Sequence, residues 1–389
     1  MTTSTSSLLY APASQLNTLD FQVSKSDLHL TRLLVLPDAP LKNGEVRLQI
    51  ECFALTSNNI TYAAFGDAMH YWNFYPASDG WGRIPVWGFA SVFESRQAGV
   101  AVGDKFYGFY PMASRVTLTP THITARGFQD GAARRSALHP VFNQYIRTEG
   151  DPFYSPHTEA LQVLLLPLFS TAFVIDDFLF DNDFFGACAG SRAGEGQAGV
   201  LLLSSASSKT AYSTAFFLAQ RAGVEVVGLT SPANVAFCES LGCYSRVLSY
   251  NQLDTLASDV PCNYIDFAGN AALRQRIHSR FTKLKYSCAV GGTHVEQLTV
   301  KGCTQGLPGV RATLFFAPAQ IKKRSADWGP TGLVSRLHTA WRAFTKQVMQ
   351  LEAPWLVIQT HVGGPAVQSA YQTVLGGAGD PRAGHVLSL

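Results

Sequence analysis

Val200-Leu201-Leu202-Leu203-Ser204-Ser205-Ala206-Ser207-Ser208-Lys209-Thr210-Ala211-Tyr212 is the stretch on which the fold turns. The aliphatic run makes a buried strand, Ser204 to Ser208 a tight polar turn, and Lys209 onward the start of a helix. Outward from it, strands and helices alternate. Strand 200–204 precedes helix 209–222, and strand 224–229 precedes helix 232–241. Strands 246–248 and 262–267, helix 270–281 and strand 285–290 follow. Alternation at this spacing predicts an α/β chain with a parallel, doubly wound sheet. A long apolar helix, Thr158 to Leu168 continuing towards Leu179, and a Gly-rich loop, Gly186 to Gly199, lead into it.

Upstream the period is different. Glu45 to Phe53 and Val86 to Glu94 alternate as strands, and Val102-Gly103-Asp104-Lys105 makes a hairpin turn into Phe106 to Phe109. Short strands separated by Gly and Pro suit a partly open barrel; Arg126 to Ser136 reads as a polar loop. Downstream, Leu333, Leu337, Trp341, Phe344, Val348 and Leu351 recur at helical spacing with Arg336, His338, Arg342 and Lys346 between them, an amphipathic helix. Val386 to Leu389 returns as a short strand. The chain divides into 1–156, a barrel-like domain, 157–316, the doubly wound domain, and 317–389, a return to the first.

Composition narrows the function. The 389 residues carry 15% charged side chains, against ~25% in an average domain, which favours large apolar interiors and a homodimer contact. A net charge of +3 with scattered basic residues excludes a nucleic-acid stripe. The seven cysteines, Cys52, Cys188, Cys238, Cys243, Cys262, Cys288 and Cys303, form no CxxC pair, so neither a zinc cage nor a disulfide framework is expected. A reducing cytoplasm is the simplest setting. Met1 to Ser7 lacks the features of a signal peptide. Leu161 to Phe180 is interrupted by Gln162, Ser170, Asp176 and Asp177 and reads as a buried helix rather than a membrane span.

The order of barrel, nucleotide-binding domain and return resembles the medium-chain dehydrogenase/reductase superfamily, in its zinc-free quinone and enoyl reductase branch. Glu45 to Ile50 followed by Ala54 to Asn59 resembles that family's strand and G-x-N turn. Val102 to Gly108 resembles its V-G-D-R-V-x-G hairpin, and Leu164 to Ala172 its helix ending in Thr-Ala. Glu225 to Thr230, Ser240-Leu241-Gly242-Cys243 and Ala383 to Leu387 match later stretches. Leu314-Phe315-Phe316-Ala317-Pro318 and Asp327-Trp328-Gly329-Pro330 look like the DUF2855 branch. The resemblance implies a GroES-like partly open β-barrel carrying the catalytic groups and a Rossmann sheet carrying the cofactor. Where the alcohol dehydrogenase branch has a zinc-binding Gly-His-Glu, this chain reads Trp87-Gly88-Phe89-Ala90, so no metal is expected.

The cofactor turn has lost its glycines. A pyrophosphate needs backbone N–H groups at a helix start and close approach of the main chain. Ser205, Ser207, Ser208 and Thr210 offer hydroxyls, and Lys209 a charge, in place of bare backbone; alternatively the glycines drifted because no cofactor binds. The second strand ends in Thr230-Ser231-Pro232-Ala233-Asn234, with no acid until Glu239. A neutral end favours NADP over NAD, with Thr230, Ser231 and Asn234 around the ribose and Lys209 or Arg246 in reach of a 2′-phosphate. Gly291, Gly292 and Phe316 fall where the superfamily brings main chain to the nicotinamide.

Zinc-free members pass hydride to a carbonyl, enone or quinone, often with a Tyr as proton donor. Tyr62 leads as that donor, Tyr71 stands second, Asn58 orients a carbonyl, and His70 is the acid/base of near-neutral pKa in the same loop. Each has a plainer reading: a tyrosine packed among aromatics, a solvated loop histidine. Tyr71-Trp72-Asn73-Phe74-Tyr75, Trp81 and Trp87 suit either a flat apolar substrate or ordinary core. The expectation is an NADP-linked, zinc-independent reductase of a hydrophobic or aromatic carbonyl or enone. Its rivals are a lyase or hydrolase on the same scaffold with structural or recycled NADP, and a non-catalytic binding protein.

Overall fold

The structure is a computed structural model describing residues 17–135, 138, 140–188, 199–290, 306–377 and 379–389. Gly291, Gly292, Cys303, the N-terminal Ser/Thr-rich segment and most of the Gly-rich loop lie outside the described residues.

The first region is all strand and short helix: β1 (Asn17–Ser24), β2 (Thr31–Pro37), β3 (Val46–Leu55), α1 (Ser57–Ala64), β4 (Trp81–Gly82), β5 (Pro85–Ser95) and β6 (Lys105–Pro111). Next come β7 (Arg115–Leu118), β8 (Pro120–Thr124), β9 (Gly127–Asp130) and β10 (Tyr145–Arg147). The polar stretch expected as a loop thus contains β9, held between β8 and β10 by backbone pairing that polarity does not report. β3 and β5 run antiparallel from Val46↔Ser95 to Phe53↔Gly88. They approach so closely at Gly88 that a Cβ there would lie 2.5 Å from the Cys52 carbonyl oxygen. A bridge between Asp20 and Ala113 ties the small β2-β1-β4 sheet to the larger one, leaving the barrel partly open.

Helix α2 (Glu159–Asp181) packs between the two regions. Among the described residues it is the one helix long and apolar enough to cross a membrane, and much of its surface is buried inside the protein. It touches β3 and β5 on one side and later helices on the other.

The alternating region then builds β11 (Gly199–Leu203), α3 (Lys209–Leu218), β12 (Val224–Thr230), α4 (Val235–Ser240) and β13 (Arg246–Ser249). It continues with β14 (Cys262–Asp266), α5 (Ala271–Arg280), β15 (Leu284–Ala289) and β16 (Thr313–Leu314). Every pairing is parallel, in the order β13-β12-β11-β14-β15-β16. That is the 3-2-1-4-5-6 order of a Rossmann sheet, with its switch point between β11 and β14.

The last elements are α6 (Ala317–Val348), β17 (Val357–Val362), α7 (Gly364–Gly376) and β18 (Ala383–Ser388). The amphipathic helix starts well before Gly332, bends at Gly329 (φ 71) before Pro330, and ends before Leu351, which is 98% exposed. Its apolar face is covered from within: Trp341 and Phe344 pack on Phe169 of α2, with centroids 5.2 and 4.9 Å apart. β18 pairs antiparallel with β3 and so returns the chain to the first region.

Candidate functional site

The turn after β11 sits at the switch point. In the order of a G-x-G-x-x-G turn, Ser205, Ser207 and Thr210 stand where the three glycines would. Ser205 takes the left-handed conformation, φ 50, that the first of them usually supplies. Hydrogen bonds hold it there: its N–H donates to the Tyr250 hydroxyl at 3.1 Å, and Ala206 N–H donates to the Leu229 carbonyl at 3.0 Å. The Tyr244 hydroxyl donates to the Ala206 carbonyl at 2.7 Å. Behind the turn, the buried Ser204 hydroxyl donates to Asp266 at 2.8 Å and accepts from the N–H groups of Phe267 and Ala268. Asp266 is in turn gripped by Arg274 at 2.6 Å. The fold has replaced glycine freedom with a polar lattice.

The donor set suits an anion. Ser208 caps α3 by accepting from Ala211 N–H, while Lys209 and Thr210 N–H, the first two of the helix, have no intrahelical acceptor. No acid lies in the first helical turn. Asn234 reaches across from the second strand's end to the Ser207 hydroxyl at 3.1 Å. The structure therefore brings Ser205, Ser207, Ser208, Thr210 and Asn234 together. Thr230 is buried at the end of β12, and half-buried Ser231 follows it. Phe316 follows β16 and precedes α6, on the far edge of the sheet.

Two cations expected near a 2′-phosphate are engaged elsewhere. Lys209 Nζ donates to the Ala383 carbonyl at 2.7 Å and to Pro381 at 3.4 Å, so it faces β18 rather than the turn. Burial pushes its amine down to about 8, against the pull of Asp380. Arg246 pairs with Glu225 at 2.8 Å. Next to Lys209, His385 and His361 are hydrogen-bonded at 3.0 Å; burial, His361 and Lys209 hold His385 down to about 4.

The candidate proton donors lie on and after α1. Thr56 and Asn59 form a capping box, and the Asn59 amide donates to the Pro85 carbonyl at 3.1 Å, locking α1 on β5. One turn apart on that helix, Asn58 Nδ2 donates to the Tyr62 hydroxyl at 2.7 Å. Burial pushes the Tyr62 hydroxyl up to about 12 although Asn58 and Trp87 oppose it. A cavity of about 10 Å³, room for a single water-sized group, is lined by Thr56, Asn58, Asn59 and Trp87 on this side. Val163, Leu164, Pro167 and Leu168 of α2 close its other wall.

The neighbouring rings fill space rather than enclose it. Tyr62, Tyr71, Phe74, Trp87 and Phe109 surround Phe142, with centroids 5.1 to 6.3 Å from it. Tyr71 is packed 4.5 Å from Tyr62, and burial raises its hydroxyl strongly. His70 is exposed in a left-handed turn (φ 61) and is absent from the cavity lining. Phe89, at the position of the zinc-binding His, is fully buried against Tyr107 and Tyr154. Among the described residues, no group of three His, Cys, Asp or Glu converges. Tyr244 and Tyr250 are the groups that sequence reading did not assign to this site, while Trp87 stood among the aromatics weighed for the substrate side.

A partly open barrel, a bridging helix and a 3-2-1-4-5-6 sheet define the medium-chain dehydrogenase/reductase fold. The chain belongs to the family described as "Protein of unknown function (DUF2855)", which matches residues 53–380. No curated protein matches it in sequence. Among solved structures it is similar to CurA in complex with NADPH from Vibrio vulnificus, at 11% identity and TM-score 0.59 over 95% of this chain and 98% of that one. The quinone oxidoreductase from Coxiella burnetii is similar at 13% identity and TM-score 0.50, covering 96% and 100%. The human synaptic vesicle membrane protein VAT-1 homolog-like protein is similar at 12% and TM-score 0.51, covering 96% and 99%. At these identities the likeness is one of fold.

Proposed function

We propose that this protein is a zinc-independent, NADP-linked oxidoreductase acting on a carbonyl or enone. The observation that carries the reading is the turn at the switch point. It keeps the left-handed first position and leaves two helix-start N–H groups for a phosphate, although all three glycines are gone. The similarity to CurA, solved with NADPH, supports the same reading.

Ser207, Thr210 and the N–H groups of Lys209 and Thr210 hold the pyrophosphate. The neutral Thr230-Ser231 end accommodates a 2′-phosphate, since no carboxylate repels it there. NADPH, when bound, supplies hydride. Asn58 donates to the Tyr62 oxygen, so the Tyr62 proton is free to go to the substrate oxygen or carbon as negative charge develops on it. A hydroxyl with a pKa of about 12 still protonates an alkoxide or the carbon of an enolate, because each is a stronger base than the phenolate left behind. Solvent then restores the proton.

The test is titration of the purified protein with NADPH and NADH, read by nicotinamide fluorescence, followed by oxidation assays on cyclic enones, quinones and aromatic aldehydes. Tighter NADPH binding with enone- or carbonyl-dependent oxidation is expected. A folded protein that binds neither nucleotide refutes the reading.

A further inference from the structure

The indole N–H of Trp87 is buried; it faces the Tyr62 hydroxyl closely enough to lower that group's pKa but makes no hydrogen bond of good geometry with it or with any other described group. Buried donors of this kind are normally satisfied, because leaving one unmade forfeits its hydration without return. The ring cannot turn aside to find an acceptor. It stacks on Tyr107 at 5.3 Å with an interplanar angle of 15°, and meets Phe109 at 5.0 Å. β5 holds the backbone in register, Trp87 opposite Phe109 of β6.

Trp87 lines the cavity of about 10 Å³ together with Asn58. The wall opposite is made of Val163, Leu164, Pro167 and Leu168, whose side chains donate nothing. The Thr56 hydroxyl is directed to Asn59 Oδ1 at 3.1 Å, and one Asn58 N–H goes to Tyr62. An oxygen atom entering this space meets fixed donors and apolar walls.

We propose that Trp87 is a catalytic residue whose indole N–H donates to the carbonyl oxygen of the substrate, in a one-oxygen cradle shared with the Asn58 amide. The proposal rests on the reading of the substrate as a carbonyl or enone. The donor is placed before the reaction begins, so it strengthens as charge moves onto that oxygen and needs no reorganisation. An apolar second wall raises its effect by lowering the local dielectric around that oxygen.

Trp87→Phe keeps the ring stack and removes the donor. With cyclohex-2-enone and NADPH, kcat/KM is expected to fall about 100-fold, the scale of one lost oxyanion donor, while NADPH affinity stays unchanged. In wild-type protein labelled at the indole nitrogen, the Trp87 N–H resonance, assigned by its proximity to the Tyr62 ring, is expected to move downfield as cyclohex-2-enone is added. Unchanged kcat/KM in a folded Trp87→Phe variant overturns the proposal. So does an indole resonance that stays still at saturating enone, the behaviour of a resident water. If wild-type protein oxidises no NADPH, the proposed reaction fails separately, and the indole titration alone decides whether the carbonyl cradle exists.

Discussion

Replacing Lys209 by methionine tests whether this side chain clasps two regions of the fold, as its geometry states, rather than serving a phosphate. Its ammonium lies buried between α3 and β18 and donates to the Ala383 carbonyl at 2.7 Å. The folded chain holds its pKa at about 8, against 10.5 in the unfolded chain, because burial penalises the charge more than Asp380 rewards it. At about 1.4 kcal/mol per pH unit, that gap is worth about 3 kcal/mol. Below pH 8 the amine is charged in both states and the penalty is present in full. Between about 8 and 10.5 the unfolded chain holds a proton that the folded chain has released, so stability rises with pH. Above 10.5 the gain is complete. The neighbouring His385, held at about 4, titrates below this window, and Asp380 is held lower than an ordinary carboxylate by Arg382 and Lys209. The assay is urea unfolding of wild type and Lys209→Met at half-unit steps from pH 7 to 10.5. The wild type should gain up to about 3 kcal/mol relative to the variant across that range. Parallel stability curves for the two proteins would refute the buried placement of the amine.

Three further outcomes are expected. Tyr62→Phe should lower kcat by about 10²- to 10⁴-fold with NADPH affinity retained, as loss of a proton donor does; an unchanged kcat removes Tyr62 from the chemistry. Ser231→Asp, which places a carboxylate at the end of the second strand, should weaken NADPH binding about tenfold or more and spare NADH, measured by fluorescence titration. Arg274→Met leaves the fully buried Asp266 without the guanidinium that donates twice to its Oδ2, and should cost about 3–5 kcal/mol in urea unfolding; a loss under 1 kcal/mol would show that Ser204 and the local N–H groups suffice.

Local pattern carried much of this fold. The aliphatic run at Val200 to Leu203 and the spacing of the strands and helices after it made the parallel sheet legible, because parallel strands buried on both faces are continuously apolar. The same local reading passed over β1, β2, α1, β17 and α7. Their burial patterns are mixed, so their pairing and packing partners rather than their own periodicity define them. It also began this last long helix only at Gly332, whereas α6 starts at Ala317 and passes Gly329 and Pro330 as a kink.

For the site, the sequence by itself determined which residue types stand at the turn after β11, and that no acid follows β12. It also determined that Phe89 and Ala90 replace metal ligands. It could not say where long side chains point. Lys209 is adjacent in sequence to the phosphate turn, yet four methylenes carry its amine away to β18, a strand 174 residues distant. Asn58 and Tyr62 were legible as candidates from the stretch that resembles the G-x-N turn, while their hydrogen bond and the cavity that Asn58 shares with Trp87 exist only once α1 and β5 have packed. Direction and desolvation are properties of the packed chain: a polar atom without a partner exists only after its surroundings have closed around it.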